Sequence, residues 1–304
     1  MNRLGNKSLG VLLALLVLIS VSLSFWERGS GNGKIDTDLF VVENIDPIDR
    51  IVISNQQEIL DCRAFSGGFK INDEFVMDQD LLTVLAAVFQ RVRVQRPLSG
   101  NQQQQVYQSI KETGSHIELY QGDQLLTSFW AGGDPSEQNS YFATEEGAVY
   151  LVHLPGYTSY VSGLFQLPLA KWRSRTIFNN TWRSLLTYSF QDFNDPENDF
   201  QINYQDPFFQ VPGVQQLDSN NVIDYLQRVV SLTASAVVDT AYQGMPALEL
   251  TTTDIDPAKN QTLTLYGEDD QPVMLGKSGN QYFTFARANI EPLLKNSRFF
   301  EKDF

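Results

Sequence analysis

"DLLTVLAAVF" at residues 80–89 places apolar side chains at Leu81, Leu82, Leu85, Val88 and Phe89. "NVIDYLQRVV" at residues 221–230 does the same with Val222, Ile223, Leu226, Val229 and Val230. Both sets follow the spacing i, i+1, i+4, i+7, i+8, the stripe of an amphipathic helix. Aligned on that stripe, Leu81 corresponds to Val222. Two helices can share a stripe by chance, so the flanking sequence decides whether the chain repeats itself.

Ahead of the first helix come three strand patterns, "IDRIVIS" (48–54), "ILDCRAF" (59–65) and "FKIND" (69–73). Ahead of the second come "TYSFQDF" (187–193), "FQINYQ" (200–205) and "FFQVPG" (208–213). Turn residues separate them: Ser66-Gly67-Gly68 in the first set, Asn194-Asp195-Pro196 and Asp206-Pro207 in the second. Asp78 and Asp218 stand where N-capping acids belong. After each helix comes a hairpin, "HIELYQGDQLLTSFW" (116–130) and "LELTTTDIDPAKNQTLTLY" (248–266). A further strand follows, "VYLVHL" (149–154) or "QYFTFA" (281–286), and then a short apolar helix, "YTSYVSGLF" (157–165) or "IEPLLKNSRFF" (290–300). A unit of roughly 135 residues used twice is too long for a solenoid module and the size of a domain.

The expected fold class is α+β: a tandem duplication of an antiparallel sheet packed against one long and one short helix, after an N-terminal transmembrane helix. The expected organisation is an anchor and tether (1–34), a first repeat (35–170), a junction (171–183) and a second repeat (184–304).

The transmembrane expectation comes from "GVLLALLVLISVSLSFW" (10–26), which carries no charge. As a helix it is about 25 Å long, at the short end of what spans a bilayer. Arg3 and Lys7 precede it, which favours an N-terminus inside and the bulk of the chain outside, and Trp26 falls at the interface. The alternative is a signal peptide cut after Ser24; the density of Leu and Val and the Phe25-Trp26 pair favour the uncleaved anchor. "ERGSGNGK" (27–34) reads as a flexible tether. The expected location is the cytoplasmic (inner) membrane, single-pass, with the bulk extracytoplasmic or periplasmic.

The 304 residues are 42% hydrophobic and 19% charged, which is ordinary for globular domains. A formal net charge of −14 repels phosphate backbones, so nucleic acid is not an expected partner. Cys62 is the sole cysteine, which rules out an internal disulfide and any cysteine pair for zinc. It sits in an alternating strand and reads as a buried structural thiol.

Candidate chemistry is sparse. His116 and His153 both fall in strands, with no metal-ligand spacing around them. No nucleophile elbow, P-loop or dinucleotide glycine pattern is present. The acids of "NDPEND" (194–199) and "GEDDQ" (267–271) sit at turns, where solvation does not raise a pKa for acid catalysis. "DIDPAKN" offers Asp254, Asp256 and Asn260, faintly like a calcium loop, but it lacks the turn glycine and closing glutamate and reads as a hairpin turn. No catalytic residue, cofactor or metal is expected.

The most distinctive segment is "KWRSRTIFNNTWR" (171–183), basic and aromatic in an acidic chain. Trp172, Arg173, Arg175, Trp182 and Arg183 are its candidate partner-binding residues, since Trp and Arg dominate binding hot spots. The competing reading is a hinge whose arginines pair with acids of both repeats.

Three stretches resemble the bacterial domain-of-unknown-function family four-three-four-zero. They are "DTDLFVVENIDPIDRIVIS" (36–54) after the leader, "FKINDEFVMDQDLLTVLAAVFQRVRV" (69–94), and "VYLVHLPGYTSYVSGLF" (149–165) leading into "WRSRTIF" (172–178). The resemblance runs from about Asp38 to the C-terminus and rests on a pattern of elements rather than a catalytic signature. It implies a membrane-anchored extracytoplasmic protein encoded beside an ABC-type export permease and a gliding-motility-type auxiliary subunit, and it assigns no active-site residue. The functional expectation is a non-catalytic accessory or scaffold protein of an ABC-type export or envelope complex, its partner an export permease or auxiliary subunit. The alternative is an envelope hydrolase or a glycan- or peptide-binding protein.

Overall fold

The computed structural model describes residues 35–302 apart from 137, 243 and 268–270. The apolar run at 10–26 lies outside the described residues. Among the described residues, no helix is long and apolar enough to cross a membrane.

The first half runs β1 (Arg50–Ser54), β2 (Ile59–Phe65), β3 (Gly68–Ile71), β4 (Phe75–Val76), α1 (Gln79–Arg91) and β5 (Arg93–Pro97). It continues with α2 (Gly100–Thr113), β6 (Ser115–Gln121), β7 (Gln124–Asp134), β8 (Asn139–Ala143) and β9 (Val149–His153). A 3-10 turn (Val161–Gln166) and α3 (Leu169–Trp172) close it. The second half runs β10 (Leu185–Asp192), β11 (Phe200–Gln205), β12 (Phe208–Gln210), α4 (Ser219–Val230) and β13 (Ala236–Val238). Then come β14 (Pro246–Asp254), β15 (Gln261–Tyr266), β16 (Val273–Ser278), β17 (Gln281–Ala286) and α5 (Arg287–Ile290), followed by 3-10 turns to Phe300.

Each half builds one antiparallel sheet. The first has the order β4-β3-β2-β1-β6-β7-β8-β9-β5, the second β12-β11-β10-β14-β15-β16-β17-β13. Apart from β4, the two orders match strand for strand. Each sheet alternates, with one face toward its long helix: Ile51, Ile53, Ile117, Leu119 and Phe129 in the first half, Tyr188, Phe190, Leu250, Leu263 and Leu265 in the second. The two cores are separate clusters.

The backbone joints match as well. Asp78 caps α1 by accepting from the Asp80 and Leu81 N–H groups (3.0 and 3.1 Å), and Asp218 caps α4 by accepting from Asn220 and Asn221 (2.9 and 3.2 Å). The Asp78 N–H donates to the Trp172 carbonyl and the Asp218 N–H to the Phe300 carbonyl, at 2.7 and 2.8 Å, so each half ends by lying across the start of its own helix. Beyond the helix, Val94 N–H donates to Thr37 O and Ala234 N–H to Arg175 O. Each lead-in so held plugs a buried phenylalanine into its core, Phe40 or Phe178.

The structure corrects the sequence reading at four points. With the caps aligned, Val222 corresponds to Leu82 and not to Leu81, Tyr225 to Leu85, and Val229 to Phe89. The apolar stripe misplaced the register because it left out Tyr225, which is buried. The first half has two long helices rather than one. In α2 only Val106, Tyr107 and Ile110 are apolar, too short a stripe to mark a helix among glutamines, yet it covers the outer sheet face at Trp130, Tyr141 and Val149. Each half has eight equivalent strands where the pattern marked six; β5, β8, β13 and β16 were missed. The short closing helices are mostly 3-10 turns.

Candidate functional site

The first part of the 171–183 junction is paired with both halves. From Arg173 to Ile177, just after α3, the chain is extended and both of its edges are taken. On one edge Ser174 N–H donates to Val76 O (2.7 Å) and Trp172 O accepts from Asp78, with Met77 bridging Arg173. On the other, Ala234 N–H donates to Arg175 O and Ile177 N–H to Leu232 O, with Thr176 bridging Thr233. Successive residues of a strand point their N–H and C=O groups to opposite edges, so one strand stitches the two halves together. Trp172 lies in the first core; Ile177 and Phe178 lie in the second.

Arg173 reinforces the stitch from the side. Only 5% exposed, its guanidinium stacks 3.8 Å from the Phe75 ring centroid of the first half and reaches Asp239 (2.5 Å) and Gln281 (3.3 Å) of the second. Arg175 leans the other way, 3.7 Å from Asp78. Beside Arg175, residues of both halves line a crevice of about 330 Å³, its charged groups being Asp78, Asp80, Lys171 and Arg175 and its apolar ones including Leu81, Leu167 and Val237.

The five candidate residues therefore split. Trp172 and Arg173 are inside, bonded to the protein itself, so neither is available to a partner. Arg175, Trp182 and Arg183 reach the surface. Trp182 is 43% exposed, with the Arg183 guanidinium 5.2 Å from its ring centroid. Leu186 and Ile255 are exposed as well, and the Ile255 N–H donates to the Ser184 carbonyl at 2.9 Å, two residues beyond Trp182. Ile255 was not anticipated from sequence, because it meets this segment, opposite Ser184, only through the pairing of β10 with β14.

The other reactive groups are absorbed by the fold. Cys62 is wholly buried, and pairing with Ile51 and Ile71 places it where the second half has Ile202. Burial, with some help from Asp61, pushes its thiol up to about 12, so it stays protonated and inert. His116 stacks on Trp130 with centroids 4.5 Å apart and shares Glu145 with it: the imidazole Nε2 lies 2.6 Å from one carboxylate oxygen, and the Trp130 indole donates to the other at 3.2 Å. Burial works to raise the Glu145 carboxyl, but hydrogen bonds from His116, Trp130 and Ser128 outweigh it and hold its pKa below the ordinary range. His153 is exposed on the same sheet, three strands from His116 and four residues further along by the register, so the histidines do not meet.

The calcium-like loop is a lock on itself. Asp254 accepts from Asn180 (2.8 Å), Ser184 (2.7 Å) and the Asp256 N–H (3.0 Å), and its own N–H donates to Asn260. Asp256 caps a 3-10 turn. Among the described residues no group of three or more His, Cys, Asp or Glu is placed to hold a metal ion.

Comparison with family models, with curated proteins and with solved structures gives no match to this chain.

Proposed function

We propose that this chain is a non-catalytic, membrane-tethered extracytoplasmic protein that serves as an accessory or scaffold subunit of an ABC-type export or envelope complex. It is held at the membrane by residues 10–26 and arose by tandem duplication of one α+β unit. The observation that carries the reading is exposed Trp182 with the Arg183 guanidinium 5.2 Å from its ring centroid, a few residues past the segment that joins the halves. Exposed Trp beside Arg is costly to keep in water and is what protein-binding hot spots are made of. The engagement of Cys62, His116 and Asp254 in structural bonds supports the same view. The resemblance of residues 36–54, 69–94 and 149–178 supplies the class of partner, an export permease or its auxiliary subunit.

The test is affinity purification of the full-length chain from its native membranes in mild detergent, with the co-eluting proteins identified. An ABC-type permease or its auxiliary subunit is expected in the eluate, reduced at least about tenfold by Trp182→Ala with Arg183→Glu. Recovery of the chain alone and monomeric at native abundance would sink the reading.

A further inference from the structure

The first half carries a cleft of about 450 Å³ at one end of its sheet, within the size range of small-ligand sites. Its walls are the β1–β2 turn with Asn55, Gln56 and Gln57, the end of α2 with Glu112 and Thr113, Gly133 and Pro135 on β7 and just past it, and Tyr160 with Gln166 on the closing segment. Much of its hydrogen-bonding capacity is unspent. Asn55 uses its Oδ1 on the N–H groups of Gln57 and Glu58 (2.8 and 3.0 Å), leaving its amide NH₂. Tyr160 donates to Gln166 Oε1 (3.3 Å), leaving the Gln166 NH₂. The side chains of Gln56, Gln57 and Glu112 bond to no other described residue.

The fold does not require these amides, because it makes a recess in the same place in the second half and lines it differently. Asp192 stands at the position of Asn55 and makes the same turn, its Oδ1 accepting from Asn194 and Asp195 N–H at 3.0 and 3.1 Å. Counting back from the paired Trp172 and Phe300, Leu294 stands at the position of Gln166. That second recess, about 400 Å³, adds Phe190, Phe299, Lys295 and Arg298. The first therefore owes its amide lining to side-chain choice, and α2, which has no counterpart, supplies one of its walls.

The chemistry of the first cleft selects its ligand. It has donors and acceptors in close alternation, one carboxylate and no lysine or arginine in its lining, so it suits neither an anion nor an apolar side chain. Its flat surfaces are Tyr160 and Pro135. Gly133 is held at φ +147°, where a Cβ would strike the Asn139 carbonyl and come within 3.2 Å of Tyr160 Cε2, so the wall beside the tyrosine ring stays open. We infer that this cleft binds a neutral polyhydroxylated ligand, a glycan segment, with Gln56, Gln57, Gln166 and Glu112 bonding its hydroxyls and the Tyr160 ring against its C–H face. The inference is independent of the accessory-subunit proposal.

Isothermal titration of the full-length chain, kept in a detergent without a sugar head group, tests it with chitotetraose, cellotetraose and maltotetraose as probes and tetra-alanine as the peptide comparator. Saturable binding of at least one saccharide is expected, with Kd on the order of 1 mM or tighter. Gln56→Ala with Gln57→Ala should weaken it at least about tenfold, as should Glu112→Leu alone, with the thermal midpoint unchanged. Lys295→Ala with Arg298→Ala, in the other recess, should leave it unaltered. No binding of any saccharide, binding that survives both first-cleft variants, or equal binding of tetra-alanine would overturn the inference.

Discussion

Where the first half has Ile51 on its sheet and Leu85 on α1, both in one core, the second half has Tyr188 and Tyr225, whose hydroxyls meet at 3.0 Å in the core. The reason lies one bond further on. Tyr225 donates to the buried carbonyl of Leu293 at 3.0 Å, so the proton between the two hydroxyls comes from Tyr188. At the corresponding place in the first half, the Phe165 carbonyl accepts instead from the Ser115 hydroxyl at 2.8 Å. A closing turn that packs against the sheet buries a carbonyl, and a buried carbonyl must find a donor. The two halves share the obligation and meet it from different elements, a strand serine in one and a helix tyrosine in the other. What persists between them is the backbone problem; the side chain that solves it does not.

That correspondence can be broken or sharpened by experiment, and the largest effect should come from the plugs. Phe40→Ala and Phe178→Ala should each cost about 3–5 kcal/mol in chemical denaturation. If only one of them destabilises, the two lead-ins are not equivalent. Next, Tyr225→Phe strips the donor from Leu293 O and the acceptor from Tyr188, and should cost about 2–3 kcal/mol, while Ser115→Ala, which orphans Phe165 O alone, should cost about 1–2 kcal/mol. A reversed order in the same assay would show that the carbonyl is not the seat of the effect. Burial pushes both tyrosine hydroxyls far up, so neither ionises while the protein is folded.

A third contrast concerns acid. Burial tends to raise the Asp254 carboxyl, but donors from Asn180, the Asp256 N–H and Ser184 outweigh it, and its pKa falls below the ordinary value. A depressed folded pKa contributes stability that is present above the unfolded value, near 4, and is lost as pH falls through the folded one. Thermal midpoints measured from pH 6 downward, with pH given to about one unit, should drop less steeply in Asp254→Asn than in the parent, at a cost of about 1–2 kcal/mol at neutral pH. An unchanged slope would remove Asp254 from the acid response. Smaller still, Asp78→Ala and Asp218→Ala should each lose about 1 kcal/mol, as equivalent N-caps do. Smallest is Cys62→Val, expected within about 1 kcal/mol because its counterpart is Ile202; a larger loss would give the thiol a role that its position does not suggest.

Much of this was readable along the chain and some was not, for identifiable reasons. Asp78 and Asp218 were legible because a cap is a local event, one side chain bonding to N–H groups two and three residues on. β5 and β13 were not, since five and three residues give no period to count. Helix α2 escaped because glutamine carries helix propensity without a stripe, and what holds it is a sheet face assembled from β7, β8 and β9. At the candidate site, the basic and aromatic character of 171–183 was visible but its division was not. Trp172 and Trp182 are the same residue type ten positions apart, and only packing sends one into a core and leaves the other in water.

By itself the sequence determined the doubling, the two long amphipathic helices, the acidic surface and the lack of cysteine chemistry, all of which are local patterns or sums over composition. Tertiary structure alone decided the true register of the halves, the strand that belongs to both, the burial of Arg173 and the meeting of the β1–β2 turn, α2 and Tyr160 around one cleft. Each of those is a contact between residues far apart in the chain. Such contacts are fixed by the need to pair every buried backbone group and fill every core, a condition that no window of sequence contains.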